Sequence, residues 1–403
     1  MAGAVRAAVP TALPPGPTGW PLSSNCWWRT PSKYRSRDIN RPALEFLGDG
    51  LLNIDGDTHR RERALVQPAF SRRHVEAYAA TMLGHTDSLL RSWGAGAVVS
   101  MHAEMQRLTL GIAAQAFFGL DLRRESAAFG AAFSRIIGYR AIHVLGMRRL
   151  RWNVPVTAHG RMERARAFLD AEIYARIAER RRAPVPGDII SDLLGAGMDD
   201  RQVRDHAMTL LAAGHETTAN ALAFTFYLLS QNREPRQRLL DELGAELGGA
   251  PPRLEDLPRL RHLDLVTRES LRVYPPVWTI GRRAAADDTI ADRPIPAGAF
   301  ALASQWVIHH LPRFGPQPLV FHPERLRPPQ QGGQPITPFA YFPFGGGPRT
   351  CIGMPLPQQG LKLILAHVLQ RFVPELAAGQ RLALKPRVTL RPVRGTRMRL
   401  LPR

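Results

Sequence analysis

Cysteine is almost missing from this chain of 403 residues, which has only Cys26 and Cys351. Two cysteines in such different surroundings suggest no disulfide framework and fit a reducing cytoplasm. Lysine is just as scarce, at 33, 362 and 385 only, although Lys and Arg together number 54. Aromatic residues make up 7% of the chain, too few for a base-stacking nucleic-acid surface. The formal charge of +20 is therefore carried almost wholly by Arg. Its short clusters, Arg60-Arg61, Arg72-Arg73, Arg149 to Arg151 and Arg180 to Arg182, read as solvated helix ends rather than a nucleic-acid stripe. Long hydrophobic runs are also lacking. Residues 1–22 have no continuous apolar core of the kind a secretory signal needs. The most apolar stretch, 207–229, carries His215 and Glu216 in its middle, which favours a buried helix over a membrane span.

What remains is an ordinary globular mixture, 44% hydrophobic and 22% charged. Residues 1–42 read as a Pro-rich, irregular segment, with Pro-Pro-Gly-Pro at 14–17, and 43–403 as one domain. Helical periodicity runs from about Asp57 to Leu247, with an amphipathic helix at 158–182 and a break from Gly187 to Asp200. A long helix follows to Gln231, and a shorter one over about 262–273 stops before Pro275-Pro276. Short strands are expected over 276–308 and a Pro/Gly-rich meander over 311–348. The final helix follows Cys351 and carries the stripe Leu361, Ile364, Leu365, Val368, Leu369 and Phe372. The tail, 382–402, alternates like a hairpin centred on Arg394-Gly395. The class is mainly α with a small β region.

The densest signal is Phe344-Gly-Gly-Gly-Pro-Arg-Thr-Cys351-Ile-Gly353. Three glycines let a backbone approach a flat ligand closely. A helix start beyond the cysteine favours a thiolate, which can serve as an axial iron ligand. Arg349 is placed to pair with a haem carboxylate. A buried inert thiol and a cysteine nucleophile remain alternatives.

This segment resembles the haem-binding loop of the cytochrome P-450 family, Phe-x-x-Gly-x-Arg-x-Cys-x-Gly, with Phe344, Gly347, Arg349, Cys351 and Gly353 at its anchors. Ala213-Gly-His-Glu216-Thr217-Thr218 resembles the family's oxygen-activation motif, with Glu216 and Thr217 as the acid–alcohol pair. Without that resemblance, a Thr bonding back to its own helix is the simpler reading. Glu269-Ser-Leu-Arg272 resembles the structural Glu-x-x-Arg motif. Pro323-Glu-Arg325 resembles the segment whose arginine completes that network. His59-x-x-x-Arg63 and Arg282 are similar to propionate-binding positions, with Arg283 as a neighbour that could substitute.

The resemblance implies a bacterial, soluble haem-thiolate monooxygenase with haem b (iron protoporphyrin IX), Cys351 as the iron ligand and O2 as co-substrate. The product is a hydrophobic small molecule carrying one added oxygen atom. No flavin or nucleotide-binding segment is visible, so electrons are expected from a separate ferredoxin with its reductase, or a flavodoxin. A monomer in the cytoplasm, with no nucleic-acid partner, is expected. Residues 1–42 do not read as the family's first strands and helix, so that sheet and helix are expected to be incomplete. A haem-binding relic without turnover is the alternative. Apolar substrate contacts are expected from Leu44 to Leu52, Leu210, Ala213 and Val277 to Ile280.

Overall fold

The computed structural model describes residues 30–120, 128–133, 135–136, 157–290, 293–333, 335–336 and 339–403. Cys26 and the Pro-Pro-Gly-Pro run lie outside the described residues.

The long apolar stretch forms one helix, α7 (Asp200–Gln231), at the centre. Its start is fixed locally. The Asp199 carboxylate accepts from Gln202 N at 2.8 Å, and the Gln202 side chain accepts from Asp199 N at 3.1 Å, a capping box. Around it pack α4 (Met101–Phe118), α5 (Ala158–Arg182), α8 (Arg233–Leu247), α9 (Arg261–Val273) and α11 (Pro355–Leu369), with α3 (Arg72–Ser92) lying on α4 and α11; α2 (Gly56–Val66) precedes α3, and the short α10 (Gln305–His309) packs on α9. The α4–α7 contact is the most extensive, and Thr109 Oγ1 donates across it to His215 O at 2.9 Å. Leu361, Ile364, Leu365, Val368 and Leu369 of α11 are all buried, as their spacing predicts. Pro355 and Pro357 sit in the first turn of α11, where amide hydrogens have no intrahelical partner.

The β content is small. A three-stranded antiparallel sheet pairs β1 (Tyr34–Arg35) with β3 (Ile280–Ala284) and β3 with β6 (Phe300–Ala303). Short β4 (Asp288–Ile290) and β5 (Arg293–Ile295) pair with each other. A second three-stranded sheet orders β2 (Val98–Ser100), β10 (Arg397–Pro402) and β7 (Phe372–Leu376).

Three expectations need correction. The irregular segment does not reach residue 42. Helix α1 (Arg37–Leu47) runs through that point, and its start is organised by Asp55, which accepts from Ser36 N at 2.9 Å and Arg37 N at 3.0 Å. Pro42 hides this helix from a reading of the sequence, because proline usually marks a helix boundary. The break at 187–200 contains a short helix, α6 (Ile189–Gly195), capped by Asp188. In the tail, the hairpin is β8 (Ala383–Pro386) with β9 (Leu390–Arg394), turning at 387–389. Gly395, at φ +82°, makes the corner into β10 instead, and a Cβ there would lie 2.3 Å from Arg381 O.

One ion network anchors the Pro/Gly-rich meander. Arg272 and Glu269 on α9 are both wholly buried. Arg272 forks onto Glu269 at 2.7 and 2.8 Å and onto His309 O and Pro318 O at 2.7 and 2.6 Å. Arg325 Nε and His322 N add bonds to Glu269 Oε1 at 3.2 and 3.0 Å. Glu269→Ala strands two buried guanidinium groups, so a loss of about 3–5 kcal/mol is expected in urea unfolding. A variant within about 1 kcal/mol of the wild type would show the network to be dispensable.

Several histidines are buried without charge. Burial, helped by Arg272, lowers His309 to about 3, and burial lowers His215 to about 4. The unfolded chain therefore takes up these protons first as pH falls below 6.5, and folding stability is lost between there and about 4. A urea midpoint at pH 5 no lower than that at pH 7.5 would contradict this.

Candidate active site

Two separate parts of the sequence meet at the cavity. The Cys351 loop is a tight reversal in which Gly345 and Gly347 take φ of +76° and +66°, accessible cheaply only to glycine. Cys351 N donates to Phe344 O at 2.9 Å and closes the loop. The loop delivers Cys351 and Gly353 to an apolar cavity. Across α7, Leu210, Ala213, Gly214, Thr217 and Thr218 line the same space, and Phe70, Met82, Ile112 and Phe117 contribute further apolar wall.

The thiol of Cys351 is exposed to this cavity while sitting deep in the fold. Burial pushes its pKa up, and the Gly353 amide, Arg63 and the Met354 amide oppose that without reversing it. The amides of the helix start act in the expected direction, and burial outweighs them together with the one cation. A bound metal ion deprotonates a coordinating thiol outright.

Thr217 Oγ1 donates to Ala213 O at 2.6 Å, and Thr218 Oγ1 to Gly214 O at 2.7 Å. The back-bonded form is thus the one present, and α7 continues through it. With its proton committed to a carbonyl, the Thr217 hydroxyl meets the cavity as an acceptor. Glu216 does not line the cavity. It is buried and accepts from Thr389 Oγ1 at 2.9 Å, with Arg391 Nη1 at 3.8 Å.

A cluster of cations gathers beside the loop. Burial, with Arg349, Arg63 and Arg282 adding to it and Asp55 opposing, lowers His59 to about 4. Burial, then Arg349, lowers Arg282 to about 10. Arg63 is lowered by burial and raised by Cys351. Arg349 is also lowered by burial and by Arg63. It bonds Leu51 O at 3.1 Å and pairs with Asp55 and Ile54 O. Arg349 is thus taken up by Asp55, an acid that belongs to none of the motifs. On strand β3 Arg282 turns inward, whereas Arg283 faces out to Gly298 O at 3.2 Å and to Asp38. Burial is the main cause in each case, and neighbouring cations add to it for His59, Arg282 and Arg349.

Of the expected substrate contacts, Leu210 and Ala213 line the cavity, while Leu47 and Leu51 are core residues. Val277 to Ile280 do not line it. The lining also includes no His, Asp or Glu among the described residues, so a cysteine nucleophile would lack a base there.

A family profile described as Cytochrome P450 matches residues 29–395. The chain belongs to the cytochrome P450 family. It is 34% identical over 342 residues to cyclooctat-9-en-7-ol 5-monooxygenase of Streptomyces melanosporofaciens, covering 82% of this chain and 73% of that protein. It is 32% identical over 365 residues to cyclooctatin synthase of the same organism, covering 87% and 78%. A solved structure of a cytochrome P450, CYP102L1, superposes with a TM-score of 0.80 at 25% identity, covering 90% of this chain and 86% of that one. This P450 is accordingly a haem-thiolate monooxygenase with the family's α+β fold. Nothing in these relatives favours a relic without turnover. No helix among the described residues is long and apolar enough to cross a membrane.

The residues present fit a haem. A thiol faces an apolar cavity, and the cation cluster beside it calls for a polyanion such as a pair of propionates. Arg282→Leu in the P450 is expected to weaken hemin binding about 10- to 100-fold, the worth of one charge-assisted hydrogen bond. Arg283→Leu should leave it nearly unchanged. Equal affinities of the two variants in a Soret titration would remove Arg282 from the site.

Proposed function

We propose that this P450 adds one oxygen atom of O2 to a hydrophobic small molecule, with Cys351 as the ligand to the iron of haem b. The observation that carries the proposal is the cavity itself, which joins the Cys351 thiol and the Thr217 hydroxyl through apolar walls. Bound there, haem would supply dioxygen activation, with electron density from the Cys351 sulfur favouring O–O cleavage.

The remaining work falls to the chain. Arg282, Arg63, His59 and Arg349 would hold the propionates of a bound haem. Phe344, Gly347 and Gly353 shape the loop that presents the sulfur. Thr217 Oγ1 accepts a hydrogen bond inside the cavity, and Glu216 carries a proton toward it from the far side of α7. The walls from Phe70, Ile112, Phe117 and Leu210 exclude water and bind apolar surface. Glu269, Arg272 and Arg325 are scaffolding. The relative acting on cyclooctat-9-en-7-ol, an alkenol, supports a substrate of similar hydrocarbon character. Electrons come from a ferredoxin with its reductase or from a flavodoxin. The net charge of +20 suits an acidic docking face on that partner. The working unit is one domain that takes in α1 and so begins before residue 43, and it acts as a monomer in the cytoplasm.

The reduced, carbon-monoxide-treated protein is expected to show the red-shifted Soret band of thiolate-ligated haem, and Cys351→His to lose that shift. A wild-type band without the shift would remove Cys351 as the ligand. Thr217→Ala is expected to divert reducing equivalents to peroxide, roughly tenfold or more at the expense of product. Unchanged coupling would remove its role.

A further inference from the structure

Glu216 precedes Thr217 on α7, yet its carboxylate is turned toward the β8–β9 hairpin. A directed series of hydrogen bonds meets it there. Thr389 Oγ1 donates to Glu216 Oε1 at 2.9 Å, Asn220 Nδ2 donates to Thr389 Oγ1 at 3.3 Å, and His102 Nε2 lies 2.8 Å from Asn220 Oδ1. Asn220 is fully buried, Thr389 is buried and His102 half-buried. An amide oxygen only accepts, so His102 Nε2 carries the hydrogen. Every donor in the series then points the same way, toward the carboxylate. Such a set favours the ionised acid. The Asn220 amide is a poor carrier of a proton, so the series orients Glu216 rather than conducting to it.

We propose that Thr389 is a positioning residue which, oriented by Asn220 and His102, holds the Glu216 carboxylate ionised against the hairpin and outside the cavity lining. The charged and titratable groups facing the carboxylate include, among the described residues, Arg391 from β9 and, through Asn220, His102 from the start of α4. Burial, with Arg391 adding to it and Asn220 opposing, lowers His102, so the ring is neutral near pH 7. The hairpin tip is itself tied to the segment after α9, by Leu390 N to Pro276 O at 2.8 Å and Trp278 Nε1 to Arg387 O at 2.8 Å. The consequence for oxygen chemistry rests on the role proposed for Glu216. The positioning itself does not.

The test is pH-difference infrared spectroscopy of the hemin-loaded protein, reading the protonated carboxyl band that Glu216→Gln removes. In Thr389→Val its midpoint is expected to rise by about one pH unit, the worth of one hydrogen bond to a charged group. Thr389→Ser should restore the wild-type midpoint. Asn220→Leu, which leaves Thr389 in place but unoriented, should shift it in the same direction by less. A purely structural role would lower the unfolding temperature of Thr389→Val and leave the midpoint alone. A midpoint in Thr389→Val equal to that of the wild type overturns the proposal. The band reads the carboxyl whether or not oxygen is activated, so this outcome is independent of the carbon monoxide spectrum.

Discussion

The buried carboxylate of Glu269 is the constraint from which the site's geometry descends. A charge without water must be fully paired, and Arg272, Arg325 and the His322 amide meet that demand. Pairing it draws the Pro/Gly-rich meander onto α9. Arg272 also bonds His309 O, and His309 Nε2 accepts from Phe342 N at 3.1 Å. Phe342 O accepts from Gly345 N at 2.9 Å, at the entrance to the Cys351 loop. Hydrogen bonds therefore lead from one ion network to the entrance of the Cys351 loop. The P450 has no regular secondary structure over most of that path, so side-chain bonds to the backbone supply the rigidity that strands or helices would otherwise give.

The chemistry is divided by the helix α7. One face lines the cavity with Thr217 and apolar neighbours, and the other holds Glu216 against Thr389 and Arg391. The acid and the alcohol are adjacent in sequence and face different surroundings. Water exclusion on the cavity side and charge stabilisation on the hairpin side are thereby kept apart. The cation cluster of His59, Arg63, Arg282 and Arg349 adds the remaining demand, for negative charge at the edge of the cavity.

Much of this was legible in the sequence, because the motifs combine residues whose spacing is locally determined. The extent of α7, the buried stripe of α11 and the i, i+3 pair Glu269–Arg272 need only helical geometry. Helix α1 was not legible, since its start depends on Asp55, eighteen residues beyond Arg37. The hairpin turn was misplaced because Gly395 looked like a turn glycine and proved to be a corner between sheets. Asp55, Thr389, Asn220 and His102 carried no signal at all. Each acts through a partner distant in the chain.

The sequence by itself determined the family, the glycine-rich cysteine loop and the order of the elements, because those follow from residue types at short, fixed separations. Tertiary structure alone decided which of two adjacent arginines turns inward, which face of α7 the acid occupies, and that a helix start does not suffice to ionise Cys351. Those outcomes are set by desolvation and by the charges that folding brings near, and neither is a property of local sequence.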